Sequence, residues 1–333
     1  ISSAFATSFR TRLLDFYDRG RRALPWRATS DPYHILVSEV MLQQTRVETV
    51  IPYYERWISR FPDAHALALA DANDVLKMWE GLGYYSRARN LQRAAQMVRE
   101  RHHGSLPGSY QQLEALPGIG AYTAAAVASI AFNQPHAAVD GNVRRVLARI
   151  FDVAAPSPAE LQATADRLLD ATRPGDFNQA MMELGATVCT PRNASCAICP
   201  VGDMCAAHRN GTVHLRPKPK MRAHLTADYV NTLVAVNRGE VLVVQRPSKG
   251  LLAGLWEFPE IEHTAGYTYA GMVTHTFTHK RIRYCIFTST ARARARARDR
   301  ERSHWLPTAT LKDLALSTAQ RKVLKLALPS FGS

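Results

Sequence analysis

A chain of 333 residues has room for roughly two domains. Its 46% hydrophobic and 21% charged residues exclude wholesale disorder, and no apolar run is long enough to cross a membrane. The net charge is +14, and nine of those charges fall in two short stretches, 209–225 (five basic, no acidic) and 291–302 (six Arg, two acidic). That imbalance calls for a polyanionic partner, nucleic acid first and an anionic membrane second.

The N-terminus, Ile1-Ser2-Ser3-Ala4-Phe5, lacks a basic-then-apolar leader, so an intracellular location is expected, cytoplasmic or nucleoid in a bacterium. From Phe5 to Met204 apolar residues recur at helical spacing between Pro and Gly punctuation, which predicts an all-α domain over 1–208. Asp31-Pro32 reads as a cap and first helical residue, opening a helix to about Thr49. Gly81-Leu82-Gly83 separates two helices, and Leu116-Pro117-Gly118-Ile119-Gly120 precedes an Ala-rich helix over 121–131. Asp140-Gly141-Asn142 opens another. Residues 209–225, with Arg216-Pro217-Lys218-Pro219-Lys220, read as an extended basic linker. Beyond it the period becomes two at Tyr229–Asn237, Val241–Gln245 and Arg283–Thr290, and Leu311–Leu328 reads as a closing helix. The fold class is therefore multidomain, with an α+β domain at 226–333.

Three features bear on chemistry. Glu39 sits in the apolar run Ile35–Leu42, where burial would raise its pKa and keep it protonated as a general acid; the alternative is a solvent-facing stripe. Asp140 at a helix N-terminus would be held as the anion, or serve only as a cap. Two carboxyls whose pKa values are pushed apart suit glycosidic cleavage. The Gly118/Gly120 hairpin offers backbone N–H groups to a DNA phosphate, or is a plain corner between helices. Finally, Cys189, Cys196, Cys199 and Cys205, spaced x6, x2 and x5, can enclose one metal centre. Only Cys196 and Cys199 form a close pair, a pattern that favours an iron–sulfur cluster over structural zinc.

The hairpin, the string Val139-Asp140-Gly141-Asn142-Val143-Arg144-Arg145-Val146 and the four-Cys loop at 189–205 together resemble the helix-hairpin-helix DNA glycosylase superfamily. Pro25-Trp26-Arg27, Ser38–Thr45, Trp79–Asn90, Met182–Ala186 and Gly250–Pro259 narrow the resemblance to the adenine DNA glycosylase (MutY) family over nearly the whole chain. The resemblance implies a base-excision-repair enzyme acting on double-stranded DNA as a monomer, removing adenine opposite 8-oxoguanine or guanine. Glu39 would protonate the adenine and Asp140 would stabilise the positive sugar. Tyr122 and Asn142 would orient that carboxylate. Trp26, Arg27 and Glu183 would line the adenine pocket, Gln44 and Tyr84 would enter the base stack, and Gly118 and Gly120 would bind phosphate. The four cysteines would hold one [4Fe-4S] cluster.

Tyr122 stands where lyase relatives carry a Schiff-base lysine, so no efficient strand cleavage is expected. The C-terminal domain resembles the Nudix fold but lacks a Glu-rich metal helix after Gly254, so recognition of the opposite base and not hydrolysis is expected of it; Phe277, Thr278 and His279 stand where the family has a Phe-Ser-His tip, and the resemblance implies that they face that base. The alternating Arg and Ala of 291–298 reads as a solvated insertion, or as one basic strand face. Rival readings are a thymine or uracil mismatch glycosylase and a non-catalytic damage-binding protein.

Overall fold

The structure is a computed structural model that describes residues 1–218, 226–277, 280–293 and 297–329. Twelve helices fall before the linker: α1 (Ser3–Gly20), α2 (Pro32–Leu42), α3 (Val47–Arg60), α4 (Ala64–Leu69), α5 (Ala72–Met78), α6 (Ser86–Arg101), α7 (Tyr110–Glu114), α8 (Ala121–Phe132), α9 (Gly141–Ile150), α10 (Pro158–Leu168), α11 (Pro174–Thr187) and α12 (Ala206–Arg209). The strands β1 (Thr226–Asn237), β2 (Glu240–Gln245), β3 (Trp256–Glu257), β4 (Thr268–Thr276), β5 (Lys280–Ser289) and β6 (Ser303–Pro307) follow, then helix α13 (Thr318–Ala327). None of the described helices is long and apolar enough to span a membrane.

The chain divides into two compact units, Ile1–Ala68 with Arg93–Met221, and Leu69–Gln92 with Arg222–Ser333. The second is thus discontinuous in sequence: α5 and the loop after it, within the 1–208 span expected for the helical domain, pack with the sheet unit.

In the helical unit, Ala6, Phe9, Leu13 and Tyr17 line one face of α1 at helical spacing and bury against α9, α10 and α11. Helix α2 has no polar face: Tyr33 and every residue from Ile35 to Met41 is buried, and it packs against α8, itself buried from Thr123 to Ser129. Asp31 caps α2 as expected, accepting from the Tyr33 N–H at 2.8 Å. The helix ends at Leu42 and not near Thr49, because Gln44 takes a left-handed φ of 57° and the chain restarts as α3.

Two glycines set the approach of α11. A side chain at Gly175 would collide with the Ser129 carbonyl oxygen, and a Cβ at Gly185 would fall 2.6 Å from that of Asn142. Residues 209–218 are not an extended linker. Arg216 pairs with Asp152 at 2.6 Å and the Lys218 N–H donates to the Ala154 carbonyl, so this stretch packs on the helical unit because its arginine finds a carboxylate there.

In the sheet unit the strand order is β3-β2-β1-β5-β4, with β6 also paired to β2; β1 and β5 run parallel, and β4 antiparallel to β5. Val234, Ile282, Tyr284 and Ile286 meet α13 on one face, while Leu233, Ala235 and Leu242 fill the other. The closing helix starts at Thr318, seven residues later than the periodicity suggests, with Ser317 as its cap. The Arg–Ala repeat forms no basic strand face among the described residues: β5 ends at Ser289, Arg292 stacks on Trp305, and Ala293 is buried. Residues 294–296 lie outside the described residues.

Gly185→Ala should lower stability by about 1–3 kcal/mol through overpacking against Asn142. Thermal melting of the parent and variant chains reads this directly, and unchanged melting would mean that α11 and α9 can separate freely.

Candidate active site

A cleft of about 1290 Å³ opens in the helical unit. Trp26, Arg27, Glu39, Gln44 and Tyr122 line it, as do Asp140, Asn142 and Glu183, so it gathers eight of the residues singled out from the sequence. Glu39 is only 6% exposed. Because α2 is buried all round, no solvent stripe exists for it, and its carboxylate is held in the cleft wall. Tyr122 donates to it at 2.6 Å. Burial pushes the Glu39 pKa up to about 7 from 4.5; the Tyr122 hydrogen bond opposes the rise, and the charge of nearby Asp140 adds to it. At neutral pH roughly half of these carboxyls carry a proton. That is the state required of an acid that delivers one.

Asp140 caps α9, accepting from the Val143 N–H at 2.7 Å and from the Asn142 side-chain amide at 2.8 Å. Its pKa is nevertheless raised, contrary to the expectation from a helix N-terminus alone: burial outweighs those donors and the Arg145 charge. The two carboxyls are therefore shifted in the same direction. Tyr122 also differs from expectation. Its hydroxyl serves Glu39, and Asn142 is the side chain that orients Asp140.

Glu183, 1% exposed, is not a free pocket lining. Its oxygens accept from the Arg22 side chain at 2.8 and 2.9 Å and from Arg27 at 2.8 Å. Burial opposes its ionisation, but these hydrogen bonds and charges overcome burial and bring its pKa down to about 2. Arg22 is the residue that sequence reading missed. It lies in Arg19-Gly20-Arg21-Arg22, which looks like a solvated basic turn, and its only sequence signal is that a buried Glu183 needs a cation.

The hairpin between α7 and α8 is pinned by buried Leu116 and Ile119. Gly118 takes a φ of 76°, a conformation that favours glycine. Gly120 caps α8 with no side-chain hydrogen bond, and nothing lies within 4 Å of where its Cβ would be. The first N–H groups of α8 are thus left open on a face with room for an anion. Gln44 stands in the cleft on its left-handed turn. Tyr84 belongs to the other unit, 44% exposed, with a φ of 47°.

The four cysteine thiols line one small cavity beneath α9. Arg149, itself buried, donates to the Cys189 sulfur at 3.3 Å and to the Thr190 carbonyl at 2.8 Å. Arg145 donates to the Cys189 carbonyl at 2.8 Å and to the Asn142 side chain at 2.8 Å. Gly202 lets the loop fold tightly, since a Cβ there would lie 2.9 Å from the Cys196 carbonyl oxygen. Burial first, and then the other three cysteines, push the Cys199 thiol up to about 11 against a hydrogen bond from the Val201 backbone. A cationic centre among the sulfurs would favour the thiolates instead. Among the described residues, no three Cys, His, Asp or Glu side chains converge as a single-ion site. His208, exposed at its outer side, also lines this cavity.

In the sheet unit, Trp256-Glu257 of the Gly250–Pro259 string forms β3, and the connection Phe258–Tyr267 contains no helix. Phe277 closes the β4–β5 turn, its N–H donating to the Lys280 carbonyl at 2.8 Å and its ring meeting His275 edge-on. Thr278 and His279 lie outside the described residues.

Residues 37–171 match the HhH-GPD superfamily of base excision DNA repair proteins, and residues 231–326 match the NUDIX domain. The helical unit has the same fold as a thermostable thymine-DNA glycosylase, with a TM-score of 0.59 at 29% identity over 62% of this chain and 98% of that one. A trapped endonuclease III–DNA intermediate shares the fold at 23% identity and a TM-score of 0.54. A helical base-excision fold, with a protonatable carboxyl in its cleft, defines a DNA glycosylase that hydrolyses N-glycosidic bonds. Whole-chain similarity narrows the class. Adenine DNA glycosylases of Mus musculus and Homo sapiens are 36% and 37% identical over 97% of this chain, covering 78% and 74% of their own lengths. That of Arabidopsis thaliana is 40% identical over 76% of this chain and 47% of its own. The chain belongs to the adenine DNA glycosylase family.

Burial of Glu39 has a measurable signature. A carboxyl with a raised pKa binds its proton more tightly in the folded chain than in the unfolded one. Its contribution to stability is full below the unfolded value of 4.5 and is lost as pH rises through about 7. The change corresponds to on the order of 3 kcal/mol. Glu39→Gln should therefore melt progressively higher than the parent chain as pH is raised from about 5 to about 8. A difference independent of pH would show that Glu39 is not held against its charge.

Proposed function

We propose that this chain removes adenine paired with 8-oxoguanine or guanine in duplex DNA and leaves an abasic site without cutting the strand. The observation that carries this is Glu39, buried in the cleft with a pKa near 7 and a hydrogen bond from Tyr122. The neutral Glu39 carboxyl gives its proton to a ring nitrogen of the extruded adenine. The bond between that base and C1′ then breaks, with its electron pair leaving on the base. Asp140, oriented by Asn142 and the Val143 N–H, stabilises the positive sugar until water adds and its proton departs. The Arg22–Glu183–Arg27 network fixes the floor of the base pocket, and the open start of α8 takes a backbone phosphate.

Tyr122 supports the monofunctional reading, since a phenol forms no imine with the sugar, and its hydroxyl is engaged with Glu39. The four cysteines fit one [4Fe-4S] cluster better than zinc. A tetrahedral ion would draw its sulfurs to about 4 Å from one another, whereas a cubane takes one thiolate per iron and spreads them around a larger body. Such a group would order the loop at 189–205 and satisfy its thiolates. Phe277 and the Thr278 and His279 that follow it in the sequence are the candidates for reading the opposite base.

Duplexes carrying adenine opposite 8-oxoguanine or guanine, and thymine opposite guanine, separate the readings when each reaction is divided and half is treated with alkali. The two adenine duplexes should show strand breaks after alkali and few before it. Glu39→Gln should bind them with base release slowed about 100- to 10,000-fold, the usual size of lost acid catalysis. Excision of thymine instead, or equal cleavage without alkali, would overturn the proposal. Purified protein should contain iron and sulfide near four of each per chain, as a cubane requires. Stoichiometric zinc would refute the cluster.

A further inference from the structure

The loop that presents Tyr84 is built on the C-terminal part of the chain. Residues 69–92 pack with the sheet unit although more than two hundred residues separate them in sequence from α13. Several ties fasten α5. Asn73 both donates to the Asp313 carbonyl and accepts from the Ala315 N–H, each at 3.2 Å. In the turn after α5, the Glu80 carboxylate receives a forked hydrogen bond from Arg321 of α13 and an ion pair from Lys77 at 3.0 Å. Arg321 is held in turn by the Leu311 and Leu314 carbonyls, at 3.0 and 2.8 Å. Beyond the loop, Arg89 donates to the Ala253 carbonyl at 2.7 Å.

Between these anchors the backbone is strained. Gly81, Gly83 and Tyr84 all have positive φ, a conformation that a tyrosine keeps only where its surroundings enforce it. The surroundings are a buried arginine, Arg87, which lies 5.1 Å from the Trp79 ring and 5.6 Å from that of Tyr84 while donating to the Leu82 and Gly83 carbonyls. The result is a large aromatic side chain held outward in one posture. An enzyme that must take a base out of the stack uses such a side chain as a wedge, filling the gap or unstacking the neighbouring step.

We propose that the sheet unit is part of the base-extrusion device: the fork between Glu80, in the turn after α5, and Arg321 of α13 positions Tyr84 as the wedge. This rests on the reading of the chain as an adenine-excising glycosylase. Glu80 and Arg321 are positioning residues, acting only through Tyr84. The C-terminal part then contributes to opening the duplex as well as to reading the opposite base.

The test is a double-mutant cycle in the full chain with two readouts. One is single-turnover adenine release opposite 8-oxoguanine. The other is the fluorescence rise of 2-aminopurine placed beside the 8-oxoguanine, opposite a non-cleavable adenine analogue, which reports unstacking at the wedge position. Tyr84→Ala should lose about 10- to 100-fold in release, the scale of a lost base–aromatic stack. Glu80→Gln should lose on the order of 10-fold, as expected for charged hydrogen bonds, with a weaker fluorescence rise. In the Tyr84→Ala background, Glu80→Gln should cost nothing further. Arg321→Gln should behave as Glu80→Gln does, and Arg321→Lys should recover part of the loss; thermal melting accompanies each variant. Equal losses with and without Tyr84, or no loss from Glu80→Gln and Arg321→Gln, would overturn the proposal. If the parent chain releases no adenine, the functional reading fails instead.

Discussion

A carboxylic acid can deliver a proton at neutral pH only where its anion is poorly solvated, and the helical unit is arranged around that requirement. Helix α2 is buried from Ile35 to Met41 and sits between α3 and α8, so Glu39 meets solvent only through the cleft. The Tyr122 hydroxyl and the nearby Arg27 charge stabilise the anion without hydrating it. Asp140 nearby makes a second negative charge costly, and burial raises its pKa as well. Two carboxyls in one cleft therefore compete for ionisation, and the donors at the start of α9 favour Asp140 as the one that carries the charge.

Helix α9 joins this chemistry to the cysteine loop. Its first turn receives Asp140, its second carries Arg145, and its third carries Arg149. The two arginines spend their donors on Asn142, on Gly185 and on the carbonyls and sulfur of the loop at 189–205. Buried guanidinium groups are tolerated here because nearly every donor has an acceptor. Gly185 lets α11 approach α9 closely enough for this to happen. A centre that orders the cysteines thereby also braces the helix that aims Asp140.

The sheet unit draws part of its packing from the N-terminal half of the sequence. Its sequence-distant piece, residues 69–92, shares hydrogen bonds and an ion pair with α13 and the segment before it. On the proposed reading, the Tyr84 loop and the candidate opposite-base contacts then share one support.

Much of the site was legible before any coordinates. Glu39 inside an apolar run, Asp140 before Gly-Asn, the Gly-x-Gly hairpin and the uneven four-Cys spacing are local patterns, and local patterns depend only on neighbours in the chain. They determined the helical class, the caps of α2 and α9, the change of period at the second domain and the family resemblance. What tertiary structure alone decided depends on partners far away in sequence. Burial chose between a solvent stripe and a trapped acid for Glu39. It also raised the Asp140 pKa where a helix terminus alone would have lowered it. Arg22 became part of the cleft only because Glu183, 161 positions later, is buried beside it. Tyr122 turned to Glu39 and not to Asp140, and residues 69–92 joined a body whose remaining residues lie beyond the linker. Periodicity records which face of an element is apolar. The field at a carboxyl and the far end of an ion pair are set by the packing of elements the chain brings together only when folded.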